Sequence, residues 1–227
     1  MFSVMLAEDV ERFVRYYEGD LGRRVLEAEA GLVNMYIDEG DLVLDLGCGI
    51  GVFEWKVKGR VVGLDLSKHA LGKAAEKNRV EEGKRDFVLA DGEAMCFRSG
   101  VFDAVFSVTA VEFVDEPFRA IREAARISKS NGKIIVLALN PDSEYFKSKV
   151  ARGKTYFERM KHKPGEIREI LARFYDILEE KLVLEVRSGS VSAEGSRQHS
   201  TIHLIYGVKK ERGTMSTRHS WGCEEGF

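Results

Sequence analysis

The sequence predicts a three-layer α/β fold in which a seven-stranded, mainly parallel sheet has helices on both faces. Two observations support this prediction. Short apolar runs alternate along the chain with segments of helical periodicity, and the first three runs end on or just before Asp or Gly. Strands that alternate with helices pair in parallel through right-handed crossovers. With 227 residues, of which 44% are hydrophobic, the chain is expected to form one domain.

Two amphipathic helices are predicted before the first strand. Val10, Phe13 and Tyr17 recur at the spacing of one helical face, and a second amphipathic stretch ends near Gly40. The predicted strands cover residues 41–46, 61–64, 87–90, 102–107, 133–139, 182–186 and 201–208. The last two flank a Gly- and Ser-rich turn over residues 188–200, which predicts a closing antiparallel hairpin.

Composition excludes several classes of protein. The longest apolar run, residues 134–139, is far shorter than the ~20 residues of a membrane-spanning helix. The cysteines Cys48, Cys96 and Cys223 form no CxxC pair, so neither disulfides nor a metal site is expected. The first residues lack the basic lead of a signal peptide, which favours a cytoplasmic location. A charged fraction of 32% with one Gln is typical of thermophilic proteins.

A basic segment lies over residues 147–173. Nine Lys and Arg face three Glu there, which gives a local excess of positive charge, although the formal net charge of the whole chain is -2. The excess is typical of a solvated, ion-paired helical face, and an RNA-binding surface is the alternative.

The strongest motif is a glycine loop at the end of the first predicted strand, Asp45-Leu46-Gly47-Cys48-Gly49-Ile50-Gly51. Glycines without Cβ atoms let backbone N–H groups approach a ligand closely at the carboxyl edge of a sheet. The dinucleotide fingerprint GxGxxG would need glycine at position 52, which is Val52. The carboxylate of Asp45 would also repel a pyrophosphate but suit a positively charged ligand. NAD is therefore the weaker fit.

Two further acids follow the second and third predicted strands. Asp65 stands where a carboxylate can accept hydrogen bonds from both hydroxyls of a ribose. Asp91 can accept from an exocyclic adenine amine, with Gly92, Glu93 and Ala94 framing the purine edge. Either Asp could instead cap the following helix. Acids at three consecutive strand ends indicate a neutral or cationic nucleoside.

Residues 42–139 resemble class I S-adenosylmethionine-dependent methyltransferases, particularly the type 11 branch that includes quinone-biosynthesis enzymes. The resemblance is carried by VLDLGCGIG (43–51), VVGLD (61–65), ADGEAMCF (90–97) and FDAVFSVTAVEFVDEP (102–117). It implies a Rossmann-like sheet, with S-adenosylmethionine as cofactor, S-adenosylhomocysteine as product and no metal.

The resemblance also implies which residues bind the cofactor. In this assignment the glycine loop lines the methionine and ribose portions, Asp65 is the ribose ligand, and Asp91 and its neighbours contact adenine. Ser107 and Val108 lie beside the sulfonium. The implied cofactor-binding residues are Asp45, Gly47, Cys48, Gly49, Gly51, Asp65, Leu66, Asp91, Gly92, Glu93, Ala94, Ser107 and Val108.

Two features depart from the family's pattern. The segment between Gly51 and Val61 is short, so the helix after the glycine loop is expected to span only a turn or two. Where relatives often carry His after the fourth strand, this chain has Glu112, and no catalytic residue is assigned. Methyl transfer mainly requires an acceptor held in line with the methyl carbon. Candidate polar groups for the acceptor pocket are Tyr16, Tyr17, Thr109, Glu112, Tyr145 and Tyr156.

The sequence therefore predicts a cytoplasmic methyltransferase that acts on a small molecule and has no membrane partner. Residues 1–210 would form one methyltransferase domain, with lid helices over 1–40 and a basic helical cap over 141–175. Residues 211–227 are predicted to be a polar, flexible tail. Two alternatives stay open: an RNA (tRNA) or protein methyltransferase that uses residues 147–173, and a non-catalytic S-adenosylmethionine-binding regulatory subunit.

Overall fold

A computed structural model of the chain describes residues 7–80, 85–153, 155–187, 189–194 and 198–211. The predicted tail lies, from residue 212 onward, outside the described residues. The helices are α1 (Ala7–Glu18), α2 (Asp20–Asn34), α3 (Lys68–Val80), α4 (Pro117–Ile127), α5 (Glu144–Ala151) and α6 (Pro164–Phe174). The strands are β1 (Leu42–Leu46), β2 (Arg60–Asp65), β3 (Asp86–Leu89), β4 (Phe102–Val108), β5 (Ser128–Leu139), β6 (Tyr175–Arg187), β7 (Ser190–Ser192) and β8 (Ser200–Lys209).

The described strands form one sheet in the order β3-β2-β1-β4-β5-β8-β6-β7. Strands β1 to β5 pair in parallel, whereas β8 is antiparallel to both β5 and β6. The predicted fold class, including the closing antiparallel strands, is confirmed.

The predicted number of seven strands is one too few. The short strand β7 lies inside the segment predicted as a turn, where it pairs with the end of β6. Strand β6 also begins at Tyr175, well before the predicted start at residue 182. Its first half alternates exposed and partly buried residues, and charged residues at positions 176, 179, 180 and 181 leave no continuous apolar run that would predict a strand.

Helices cover both faces of the sheet because the strand side chains alternate in direction. Val43 of β1 packs into one core cluster with Val10 of α1 and Val33 of α2. Leu44, the next residue of β1, packs into the other cluster with Ile121 of α4. The three layers therefore have a separate apolar core on each side of the sheet.

Strand β1 is the point where the strand order reverses. The chain passes from β1 outward to β2 and β3, and then crosses back to β4 on the other side of β1. Ligands of open α/β sheets bind beyond the carboxyl ends of the strands at such a switch point. The glycine loop begins directly after β1, so the topology places it at this position.

Two local predictions are also met by the structure. The glycine loop is followed by only a single 3₁₀ turn, Phe53–Trp55. The basic segment is helical and is formed by α5, the 3₁₀ turn Tyr156–Arg159 and α6.

Among the residues that the structure describes, no helix is long and apolar enough to span a membrane.

Candidate functional site

The glycine loop folds over the end of β2. The backbone N–H groups of Gly47 and Cys48 donate to the carbonyl of Leu64 at 2.8 and 3.1 Å. Gly47 has a φ of +85°, and a Cβ there would lie 2.5 Å from the Cβ of Ala110. The loop therefore needs glycine at position 47 both for its left-handed backbone and for its close packing.

Asp65 connects the end of β2 to the glycine loop. Its Oδ2 accepts from the N–H of Gly49 at 2.9 Å, and its Oδ1 accepts from the N–H of Ser67 at 2.7 Å. Burial raises the pKa of Asp65, and these N–H donors partly offset the rise. Each carboxylate oxygen can accept a further hydrogen bond, which is what a ribose hydroxyl would need.

A cleft opens above the glycine loop, and we call it the glycine-loop cleft. Its wall also includes Phe13 and Tyr17 from α1. The lining residues that were predicted to bind the cofactor are Asp45, Gly47, Cys48, Gly49, Asp65, Leu66, Gly92 and Val108.

Other predicted cofactor residues do not line this cleft: Gly51, Asp91, Glu93, Ala94 and Ser107. The hydroxyl of Ser107 is buried and donates to the carbonyl of Leu46 at 3.0 Å, so it ties β4 to β1. Asp91 accepts from the N–H of Glu93 at 2.8 Å, a bond within a turn and not the alternative helix cap, because the described residues between β3 and β4 form no helix. Glu93 in turn accepts from the backbone of Glu116 at 3.0 Å.

Asp45 presents a buried carboxyl group to the cleft. It is 1% exposed, and its Oδ2 has no hydrogen-bond partner among the described residues. Burial raises the pKa of Asp45 well above its usual range, and the carboxylates of Glu54 and Asp65 raise it further. A cationic ligand group would satisfy this oxygen and favour its ionised form. The glycine cradle, the carboxylate of Asp65 and this carboxyl group together fit a positively charged nucleoside such as S-adenosylmethionine.

A second cavity of about 310 Å³ lies beside the cleft, and we call it the aromatic cavity. Phe13, Tyr17, Thr109 and Tyr156 line both spaces. The predicted pocket residues Tyr16, Tyr17, Thr109, Tyr145 and Tyr156 all lie on its wall. Other wall residues were not predicted from the sequence, among them Asp9, Phe13, Glu29, Phe157, Leu184 and Ile202.

Thr109 holds a strained conformation at the junction of the two spaces. Its φ is +47°, which is rare for a β-branched residue. Its backbone N–H donates to the carbonyl of Leu137 at 2.8 Å, and this bond holds the residue at the end of β4. Such strain costs about 1–3 kcal/mol and is concentrated at functional sites.

Glu112, in the 3₁₀ turn Val111–Phe113 that follows β4, is fully buried. Its Oε1 accepts from the N–H of Leu139 at 2.9 Å, and its backbone carbonyl accepts from the N–H groups of Lys161 and His162. Burial raises the pKa of Glu112 to about 7. Glu112 does not lie on the wall of either space, but it fixes the loop that follows β4.

Glu29 is one of two buried acids on the cavity wall that the sequence did not predict; the other is Asp9. Glu29 is 4% exposed, lines the aromatic cavity, and its Oε2 has no partner among the described residues. Burial, with the nearby Glu112 carboxylate, raises the pKa of Glu29 to about 8. The sequence does mark Glu29 in one way: it lies four residues from both Val25 and Val33, so it is an acid on an apolar helical face.

Within the described parts of the chain, no group of three or more His, Cys, Asp or Glu side chains is arranged to hold a metal ion.

The model of the methyltransferase domain family matches residues 44–136, which contain the glycine loop and Asp65. A malonyl-acyl-carrier-protein O-methyltransferase of Legionella pneumophila is 34% identical over 106 residues, 44% of this chain and 37% of that protein. The chain therefore spans well under half the length of this curated relative.

Two solved structures share the fold. A methyltransferase from Thermotoga maritima, possibly a histamine N-methyltransferase, has a TM-score of 0.72 and 20% identity over 91% of this chain and 98% of that one. A putative methyltransferase of Haloferax volcanii, solved with its Trm112 activator, has a TM-score of 0.67 and 22% identity over 90% and 96%. Residues 44–136 therefore form a methyltransferase domain, and the chain shares its fold with class I S-adenosylmethionine-dependent methyltransferases.

Proposed function

We propose that the protein transfers the methyl group of S-adenosylmethionine to a small molecule held in the aromatic cavity. One observation carries this proposal: Phe13, Tyr17, Thr109 and Tyr156 line both the glycine-loop cleft and the aromatic cavity. A cofactor in the cleft and an acceptor in the cavity would meet at these four side chains. At about 310 Å³, the cavity has the size of a small-molecule site.

The cleft would offer partners for the methionine and ribose portions of the cofactor. The backbone of Gly47 and Gly49 would hold the methionine and ribose portions, Asp65 would accept from the ribose hydroxyls, and Asp45 would receive the amino group. When bound, S-adenosylmethionine supplies a methyl group that its sulfonium has already made electrophilic. The chain's own task is then to orient the acceptor and exclude water.

Two segments would close the site. The predicted lid, residues 1–40, contains α1, whose Phe13 and Tyr17 lie over both spaces. The predicted cap, residues 141–175, contributes Tyr145 and Tyr156 to the cavity wall. In this proposal the lid and the cap recognise the acceptor, while the sheet holds the cofactor.

Ion pairs in the basic segment favour a small molecule over RNA. Arg159 pairs with the buried Asp9 at 2.6 Å, and Lys161 pairs with Asp115. Arg168 pairs with Glu180 of β6 at 3.2 Å. These cations already neutralise acids of the same chain, so they contribute less to a surface for phosphate groups.

The names of the relatives do not select the acceptor. The Legionella pneumophila protein is named for O-methylation of a malonyl group on a carrier protein, and the Thermotoga maritima protein for possible N-methylation of histamine. The atom that this protein methylates therefore has to be inferred from the aromatic cavity itself.

Transfer of labelled methyl groups from S-adenosylmethionine into a cell extract tests the proposal. We expect the label in extractable small molecules, and we expect its transfer to fall at least tenfold in Asp65→Ala. Asp86→Ala is the matched control, because Asp86 is an exposed acid on the neighbouring strand that pairs with Arg60. Label released only by nuclease or protease would overturn the small-molecule acceptor. Thermal stabilisation by NAD but not by S-adenosylhomocysteine would overturn the cofactor.

A further inference from the structure

The aromatic cavity contains a buried carboxylate that has no counterion. Among the described residues, no Lys, Arg or His side chain forms an ion pair with Glu29, and its Oε2 accepts no hydrogen bond. The charged group that most affects it is a second carboxylate, that of Glu112. A buried carboxylate without a partner is strongly unfavourable, so its position on a cavity wall points to a ligand that supplies the missing charge.

Aromatic rings line the same cavity as this carboxylate. Tyr16 and Tyr17 of α1 lie edge to face, with ring centroids 5.1 Å apart, and both line the cavity. Tyr145, Tyr156 and Phe157 come from the cap side of the wall. The faces of aromatic rings attract cations, and the attraction grows when water is excluded. The aromatic rings and the carboxylate of Glu29 therefore both favour a cationic ligand group.

The cations on the cavity wall already have partners. Arg12 lies 3.7 Å from Asp9, which is also held by Arg159. The ammonium of Lys149 lies 5.1 Å from the ring centre of Tyr145. Because these cations already have partners, they are less available to an anionic acceptor. An ionised Glu29 would also repel the charge of such an acceptor deeper in the cavity.

Tyr17 connects this carboxylate to the cofactor side. It lines both the aromatic cavity and the glycine-loop cleft. Burial raises its pKa, and Glu29 and Asp45 both raise it further, so its hydroxyl lies within electrostatic reach of both carboxyl groups. A group bound at Glu29 is therefore close to the boundary between the two spaces.

We propose that the methyl acceptor is a small amine and that the carboxylate of Glu29 binds its ammonium group in the aromatic cavity. This inference rests on the proposed function, since it names the substrate class of the same site. An ammonium nitrogen must first lose a proton before it can attack. That proton passes to a carboxylate oxygen of Glu29. The nitrogen lone pair then forms the N–CH₃ bond, and the broken S–CH₃ bond leaves its electron pair on sulfur.

Binding of three probes of similar shape tests the inference. Calorimetry on protein saturated with S-adenosylhomocysteine compares phenethylamine, phenethyl alcohol and 3-phenylpropionate, which are cationic, neutral and anionic. We expect the amine to bind at least tenfold more tightly than the other two. Glu29→Gln should remove this preference by weakening amine binding at least tenfold. Glu27→Gln should leave it unchanged, because Glu27 is an exposed residue of α2 that pairs with Lys56.

The pH dependence provides a second measurement. A primary amine stays protonated between pH 6.5 and about 8.5, while the carboxyl group of Glu29 ionises over this range. Amine affinity should therefore rise with pH in the wild type and much less in Glu29→Gln. Glu112 also titrates in this pH range, but it is present in both the wild type and Glu29→Gln. The difference between the two proteins therefore reports on Glu29 alone. The other titratable or charged groups that face Glu29 or share its cavity are Asp9, Arg12, Tyr16, Tyr17, Tyr145, Lys149 and Tyr156.

Each outcome has a defined meaning. Equal or tighter binding of the alcohol or the acid, or of the amine by Glu29→Gln, overturns the amine assignment. Failure of S-adenosylhomocysteine to bind the wild type would instead overturn the proposed function. If Glu29→Gln does not fold, the wild-type preference among the three probes and its pH dependence decide the question.

Discussion

The glycine-loop cleft and the aromatic cavity share four side chains but are built in different ways. The cleft is formed mainly by the turns that follow β1, β2 and β4, and backbone N–H bonds to Leu64 and Asp65 hold its glycine loop in place. The cavity is formed by side chains of α1, α2, α5, the 3₁₀ turn Tyr156–Arg159, β6 and β8. The cleft therefore depends on backbone conformation, whereas the cavity depends on which side chains the helices present.

This difference separates the two binding tasks. A substitution on the cavity side of α2 can alter the charge of the cavity without moving the glycine loop. A substitution in the loop changes backbone geometry that the cofactor needs, whatever the acceptor. Within one fold, acceptor preference can therefore change while the cofactor site stays the same. The two regions should also respond differently to substitution and to pH.

The largest expected effect concerns the buried acid of the cavity. The pKa of Glu29 is raised to about 8, so between pH 4.5 and about 8 the folded protein holds a proton that the unfolded chain has released. Stability contributed by this group is complete below pH 4.5 and is lost as the pH rises, at up to about 1.4 kcal/mol per pH unit. Urea unfolding at pH 5, 6.5 and 8 should show a steeper loss in wild type than in Glu29→Gln.

Glu27→Gln is again the matched control, because Glu27 is exposed on the same helix. Its pH profile should follow that of the wild type. Glu54 and Glu112, whose pKa values are raised to about 7, contribute to the slope in all three proteins. Identical slopes in wild type and Glu29→Gln would show that Glu29 is not a buried, proton-holding group, and would remove the contrast between the two regions.

A smaller effect is expected at the glycine loop. Gly47→Ala forces a side chain into a left-handed conformation, which costs about 1–2 kcal/mol, and its Cβ would clash with Ala110. Overpacking of this kind adds about 1–3 kcal/mol. Urea unfolding should show the loss, and calorimetry should show weaker binding of S-adenosylhomocysteine.

Gly72→Ala should have the opposite effect on the stability of the protein. Gly72 lies in α3 with no atom within 4 Å of the added Cβ, so this substitution should stabilise the protein by up to about 1 kcal/mol. If both variants were stabilised, the glycine loop would not require the backbone conformation described here.

The two regions also differ in how well the sequence predicted them. The glycine loop and Asp65 follow consecutive parallel strands, whose ends must meet at one sheet edge, so local patterns placed them correctly. Glu29 and Tyr145 line the same cavity although α2 and α5 are far apart in the sequence, and no local pattern encodes that arrangement. The hydroxyl of Ser107 bonds to Leu46 of β1, and strand-end position does not determine whether a side chain faces a ligand site or the neighbouring strand.

The smallest expected effect comes from comparing two acids, Asp65 and Asp91, that accept the same kind of turn hydrogen bond. Asp65 accepts from the N–H of Ser67 at 2.7 Å, and Asp91 accepts from the N–H of Glu93 at 2.8 Å. Only Asp65 also holds the N–H of Gly49 and lines the glycine-loop cleft. Hydrogen bonds to charged groups contribute about 1.5–3 kcal/mol each. Asp65→Ala should therefore weaken binding of S-adenosylhomocysteine by about 10- to 100-fold.

Asp91→Ala removes the same kind of turn bond but no contact to the loop, so calorimetry should show a change of less than about threefold. The pair thus separates the general effect of losing a strand-end turn from the specific effect of losing a cofactor contact. Equal losses would mean that Asp91 also reaches the cofactor, as the resemblance implied. The adenine would then be held by a rearrangement of the turn after β3, because the side chain of Asp91 does not line the cleft in this structure.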